Sequence, residues 1–517
     1  MVVLQRVTIL SLAATVTLLM LAPEVAAGNR RPRLSQDLVR RLAAGDQAAA
    51  DVIITGTQDQ VDAIAARHGL SVRKRLATGA ALTVPAGRLE ALAADAGVDH
   101  VSGDHGVRSS MAVTTMAIGA DQVWAGLDGL PGATGAGVGV AIIDSGVSAH
   151  PALKRRLVAS VDFTRRGSRP AAGGRDAYGH GTHVAGIVAA AAQRAWDSTT
   201  GVSPGAHLVS LKVLGADGSG KASDVIEAID WAIAHRSDYR IRVINLSLGG
   251  PVTESWRDDP MCQAVERAYR AGLVVVASAG NLGKTQDGRP ILGGITSPGT
   301  SPFAITVGAL NTKGTAYRSD DVMATYSSKG PTPFDRLLKP DLVAPGNRIR
   351  SLLAPGATIA REHPELVIGT GNETQLELSG TSMAAAVVSG AVALIVGETS
   401  QGSPATLRLA LQWSSERVRG QPLLATGSGS LNVAAARTAR FSRHHSLDTV
   451  IAGEAISPAR IAFADRAVAD SVWSDALIWS DALIWSDALI WSDALIWSDA
   501  LIWSDALIWS DGVLIGD

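Results

Sequence analysis

From Thr381 to Val396 the chain carries no charged side chain, and alanine and valine dominate. So apolar a stretch reads as a helix buried on every side, and the fold must wrap other elements around it. The small residues Gly380 and Thr381 deliver Ser382 to its N-terminus. There the unpaired N–H groups and the helix dipole favour negative charge, so an alkoxide or oxyanion is stabilised. A Gly-Thr-Ser turn by itself reads equally as a simple N-cap. Chemistry needs partners from elsewhere in the chain.

Other apolar runs supply the surroundings. Val138–Ile143 is continuous and ends in Asp144-Ser145-Gly146, the form of a buried parallel strand with a carboxylate at its C-terminal edge. Open α/β sheets place functional groups at that edge. Comparable strands are expected at Leu208–Val213, Val243–Leu246, Leu273–Val276 and Ala304–Val307, with helices at Ala222–His235 and Cys262–Ala271 between them. Alternating strands and helices predict a doubly wound, mostly parallel α/β sheet over residues 111–440. His180 stands before an Ala-rich helix expected at Ile187–Ala195, and a further helix is expected at Ser403–Trp413.

Upstream, Arg6 followed by the apolar segment Val7–Ala22 and the small residues Val25-Ala26-Ala27 reads as a signal peptide over 1–27, so a secreted or cell-surface protein is expected. Little fixed structure is expected for residues 28–50. Strands at Val52–Ile54, Ala80–Val84 and Asp99–Ser102 alternate with helices at Gln58–His68 and Arg88–Ala96, a small α+β unit. Residues 441–472 lack a period and read as a linker. From Trp473 the hexapeptide Trp-Ser-Asp-Ala-Leu-Ile runs six times to Ile508, in a tail that spans 473–517. An even period keeps strand alternation and builds no helical stripe, so extended β structure is favoured. A net charge of −2 offers no basic field for nucleic acid, and a single cysteine, Cys262, excludes an intrachain disulfide.

Three stretches carry candidate chemistry: Ile143-Asp144-Ser145-Gly146, Gly179-His180-Gly181-Thr182-His183-Val184-Ala185-Gly186 and Gly380-Thr381-Ser382-Met383-Ala384-Ala385. Each has a plain structural explanation alone, and histidines three apart, without a matching acidic or cysteine partner, are a weak metal signal. In the order Asp, His, Ser, each at an element end, they closely resemble the subtilisin-like serine proteases. Supporting stretches resemble the same family: Lys212-Val213-Leu214-Gly215, Asn245–Gly250, Ala279-Gly280-Asn281, Tyr326–Pro331 and Lys339–Gly346. The resemblance spans about 115–440, and residues 51–104 look like that family's inhibitory propeptide, so residues 28–110 are expected to be a ferredoxin-like inhibitor.

The resemblance implies roles. Ser382 is the expected nucleophile, His180 its general base, and Asp144 the group that orients the imidazole. Asn281 matches the oxyanion-hole amide, and Ser247-Leu248-Gly249 the strand edge that binds extended peptide. The expected substrates are polypeptides, and the chain's own propeptide is its expected inhibitor. Neither a nucleic-acid partner nor a membrane beyond the signal peptide is expected, and the sequence names no partner for the tail. Two departures stand out. Ala386 replaces the usual proline, and Ala152 replaces the carboxylate with which many relatives bind calcium, so no cofactor is expected. The competing readings are a catalytically idle surface or binding protein that works through its Trp repeats, and an esterase or transacylase using the same residues.

Overall fold

The computed structural model describes residues 33–104, 110–127, 129–164, 171–191, 200–371, 374–397, 402–439, 447–465, 468, 482–484 and 488–492. The expected signal peptide and most of the hexapeptide tail lie outside the described residues. The chain divides into two compact units, 1–107 and 108–517.

In the first unit a five-stranded sheet is ordered Arg33–Leu34, His100–Gly103, Ala50–Thr55, Gly79–Val84, Ser71–Leu76. The helices Gln36–Ala43, Gln58–His68 and Leu89–Ala93 accompany it. Val52, Ile54, Val61, Ile64, Leu82, Leu92 and Val101 form its core. Gln58–His68 starts with a capping box between Thr57 and Gln60 and stops at Gly69 in the left-handed region. Residues 36–43 are helical despite the expectation of little structure, because Leu38 docks into the core with only 1% of its surface exposed. Ser71–Leu76 is an edge strand whose Arg73, Lys74 and Arg75 face solvent, so it lacks the apolar alternation that marks a strand.

The second unit is built on a nine-stranded sheet. Its parallel strands are β1 (Gly139–Asp144), β2 (Leu157–Asp162), β3 (His207–Lys212), β4 (Ile241–Leu246), β5 (Val274–Ser278), β6 (Ala304–Asn311) and β7 (Leu342–Pro345). They are ordered β6–β5–β4–β1–β3–β2, with β7 also beside β6 and a short antiparallel strand at each end. Helices α1 (His180–Ala189), α2 (Ala222–Ala234), α3 (Pro260–Arg270), α4 (Thr381–Val396) and α5 (Pro404–Trp413) complete the layers.

Both faces of the sheet are covered. Val140 and Ile142 pack with α1 and α4, while Ala141 and Ile143 pack with α2 and α3. Successive strand residues point to opposite faces, so Asp144 continues the series that faces α1 and α4. Each fully buried valine, leucine or isoleucine contributes about 1.5–3 kcal/mol relative to exposure. α4 is apolar on all sides because it runs through the core, with Met383–Leu394 buried. β1 lies where the strand order reverses, β3 on one side and β4 on the other, and a crevice opens beyond the strand ends at such a point.

Two stretches differ from the sequence reading. α1 begins at His180, seven residues before the expected Ile187, because Gly179 turns the chain into the helix from a positive φ of 108°; it ends at Ala189, and residues 192–195 of the expected helix lie outside the described residues. Residues 447–465, expected within a linker, form the hairpin Thr449–Ile451/Glu454–Ile456 and the strand Ile461–Asp465. Ile451, Ile456, Ala462 and Phe463 are buried, and the Phe463 N–H donates to Gln412 Oε1 of α5 at 3.2 Å. Two described repeat segments, Ala482–Ile484 and Ala488–Ser492, are strands. They pair antiparallel with each other, and the second pairs with Ile461–Asp465.

Candidate active site

Asp144 closes β1 and is fully buried. The Ser145 N–H donates to its Oδ1 at 2.7 Å. His180 is the first residue of α1, and its Nδ1 lies 2.8 Å from Asp144 Oδ1 and 2.9 Å from Oδ2. A carboxylate can only accept, so Nδ1 carries the proton and Nε2 is left free to take one. This close approach depends on Gly181. A Cβ there would stand 2.2 Å from Gly146 O and 3.2 Å from Asp144 Oδ1. The His180 side chain retains 16% exposure, against none for Asp144. Burial opposes a charge on the imidazole, but the attraction and hydrogen bond of Asp144, helped by Asp176, outweigh it and hold the His180 pKa above its ordinary value.

Ser382 is the second residue of α4, behind Gly380 at the N-cap, so it is not the cap itself. Its hydroxyl donates to Ser247 O at 3.1 Å, and among the described residues no hydrogen bond joins it to His180. In return the Ser247 hydroxyl donates to Ser382 O at 2.7 Å. Behind this pair Asn245 Nδ2 donates to the Ser247 hydroxyl, and the Ser389 hydroxyl donates to Asn245 Oδ1, both at 2.9 Å. The Ser382 N–H lies in the first helical turn, where no intrahelical acceptor exists. Asn281 follows β5. Its Oδ1 accepts from the N–H and hydroxyl of Thr381 at 3.0 and 3.1 Å, which turns Nδ2 away from them. That nitrogen stands 3.5 Å from where a Cβ on Gly380 would lie, beside the first turn of α4.

Ser247, Leu248 and Gly249 follow β4. Gly250 bridges to Ser297. Gly249 is exposed, and among the described residues neither its N–H nor its C=O has a hydrogen-bond partner. Gly249 itself lies in the loop between β4 and that bridge, with its peptide groups open to pairing. His183 does not join His180 in a shared ligand set. It is fully buried, with Nε2 donating to Ile349 O and Leu376 O at 3.0 Å each. Burial, with repulsion from His180, pushes its pKa down to about 3. Ala152 is buried and offers no side-chain oxygen, and among the described residues no three His, Cys, Asp or Glu side chains gather to hold a metal ion.

The geometry gives partners to motif residues that the sequence reading left without a role, and adds Asp176, which lies outside the motifs. Asp176 and Ser145 interlock behind Asp144 and His180, Asn245 backs Ser247, and Thr381 orients Asn281. Asp176 left only a faint trace in the sequence, as an aspartate three residues before Gly179, the N-cap of α1.

Residues 135–434 match the subtilase family, Peptidase_S8. Serine protease AprX of Bacillus subtilis (strain 168) is 36% identical over 304 residues, 58% of this chain and 66% of that protein. Subtilisin E of Bacillus subtilis (strain 168) is 34% identical over 362 residues, 69% of this chain and 80% of its own. Among solved structures, sphericase aligns over 61% of this chain and 97% of its own at 30% identity, with a TM-score of 0.48. The chain belongs to the subtilase family of serine-type endopeptidases, with a subtilisin-like α/β fold.

Proposed function

We propose that this chain is an exported, self-processed zymogen that cleaves within polypeptides through Ser382, His180 and Asp144. The observation that carries this reading is the doubly accepted Nδ1–H of His180, held by both oxygens of Asp144. In the resting state the Ser382 hydroxyl donates to Ser247 O. This reading requires the Ser382 hydroxyl to turn from Ser247 O toward His180 Nε2, and catalytic hydrogen bonds commonly tighten only once substrate binds. Ser382 Oγ then attacks the scissile carbonyl while Nε2 takes its proton. Asp144 stabilises the imidazolium without itself becoming protonated. The Ser382 N–H and Asn281 Nδ2 receive the oxyanion. As the tetrahedral intermediate collapses, His180 gives the proton to the leaving amine, and the acyl-enzyme is then hydrolysed by water that His180 deprotonates.

The open peptide groups of Gly249 support a substrate bound as an added β-strand, which selects extended peptide by its backbone. On this reading residues 28–110 are the inhibitory propeptide, removed by a cut between about Arg108 and Thr115, and residues 1–27 direct export. The test is covalent. A fluorophosphonate should label the processed protein once, on the peptide containing Ser382, and abolish peptide hydrolysis in proportion. A label on any other residue, or full activity after labelling, would overturn the assignment.

A further inference from the structure

Asp176 is a second carboxylate, fully buried, in the loop that leads into α1. Its Oδ1 accepts from the Gly179 N–H at 2.7 Å and the Ser145 hydroxyl at 2.8 Å. Its Oδ2 accepts from the Thr182 N–H at 2.8 Å and the Thr182 hydroxyl at 2.7 Å. Its backbone is tied as well, since the Asp176 N–H donates to the Ser148 hydroxyl at 3.2 Å and that hydroxyl lies 3.3 Å from Asp176 O. One residue therefore holds both the exit of β1 and the entry of α1.

Ser145 makes the link closer. Its hydroxyl oxygen accepts from the Gly181 N–H at 2.9 Å, and its one proton faces two carboxylates, Asp176 Oδ1 at 2.8 Å and Asp144 Oδ1 at 3.2 Å. Asp144 and His180 are the chain neighbours of the residues so held. We infer that Asp176 is a positioning residue: through the Ser145 hydroxyl and the first turn of α1 it fixes the contact between Asp144 and His180. This rests on the Asp144–His180–Ser382 reading given above.

A helix cap would use some of the same bonds, so the distinction must lie in chemistry. Each Asp176 oxygen faces a backbone N–H, and an amide in its place must turn its NH2 toward one of them, whichever way it sits. Burial pushes the Asp176 carboxyl pKa up while all four hydrogen bonds favour the charged form, and its negative charge adds to that of Asp144 in stabilising the imidazolium. The other groups around His180 are His183 on the next turn and Tyr178, which itself faces Glu362, Asp144 and Asp217. Neither His183 nor Tyr178 bridges Asp144 to α1. A plain cap would affect folding alone; a positioning group must also move the imidazole's pKa and kcat.

The experiment compares Asp176→Asn and Ser145→Ala with the parent enzyme. Turnover of a chromogenic peptide is normalised to titrated active sites, and the His180 pKa is read by NMR in a Ser382→Ala background. Asp176→Asn should lower kcat by about 10–100-fold with KM within about threefold, since an ångström of misplacement can cost about that much. It should also lower the His180 pKa by at least about 0.3, because a neighbouring negative charge is removed. Ser145→Ala should shift both in the same direction by less. If Asp176→Asn does not fold, Ser145→Ala decides. Parent-like kcat and His180 pKa in the folded variant, with only thermal stability lowered, would make Asp176 a cap and overturn the inference. Peptide hydrolysis persisting in Ser382→Ala would instead defeat the triad reading itself.

Discussion

Acidification from pH 6.5 to 5 should destabilise the folded protein through His183, although it lies outside the proposed chemistry. Both acceptors of His183 Nε2 are backbone carbonyls, so Nε2 must carry the proton, and Nδ1 is buried with no hydrogen-bond partner among the described residues. Protonation would put a second N–H into a site with nothing to receive it. The pKa accordingly falls from 6.5 to about 3. A histidine with a depressed folded pKa binds its proton more readily unfolded, so its contribution is full above 6.5 and lost as pH falls toward 3. At about 1.4 kcal/mol for each tenfold change, the whole loss is about 5 kcal/mol, of which about 2 kcal/mol falls between pH 6.5 and 5. Other groups titrate in the same window; Asp321, its carboxyl pushed up to about 8 by burial, acts in the opposite sense. The assay is therefore a difference. Urea unfolding of the Ser382→Ala protein is measured at pH 6.5 and 5, with and without His183→Gln, whose amide can still donate to the carbonyls but does not titrate. The variant should lack about 2 kcal/mol of the parent's pH dependence. Equal pH dependence in the two proteins would refute the reasoning.

Asn281→Ala should lower kcat by about 10²–10³ with little change in KM, the cost of one oxyanion donor, and steady-state kinetics on a short peptide would check it. Gly181→Ala places a methyl 2.2 Å from Gly146 O, so the entry of α1 must shift away from Asp144. A stability loss of about 1–3 kcal/mol and a drop in kcat should follow, read by thermal melts and titrated turnover. Deleting residues 473–517 should leave peptide turnover unchanged, since every residue assigned to the chemistry lies before them. Lost activity in a folded truncation would favour a working role for the repeats.

The three Gly-flanked motifs stand out in the sequence because each candidate side chain sits at an element end, where backbone demands leave a signature. β1 was legible because both faces of the sheet are covered, so its apolar run is continuous until Asp144. Ser71–Leu76 was not, because an exposed edge strand with Arg73, Lys74 and Arg75 has no apolar face to read. The hairpin Thr449–Ile451/Glu454–Ile456 is too short to display a period, and its place depends on distant partners such as Gln122, whose Nε2 donates to Val450 O at 2.7 Å. Asp176 escaped notice because its importance comes from the fold of its loop against Ser145, a contact between residues 31 positions apart. Local pattern located the ends of the elements; the bonds between those ends arise only in three dimensions.

The account turns on Ser382 as the attacking group, and kcat/KM of Ser382→Ala on a defined peptide measures this most directly. Starting from protein processed in trans, the variant should fall by about 10⁶, as loss of a nucleophile in such a unit does. Peptide cleavage within about tenfold of the parent by the homogeneous variant would contradict it.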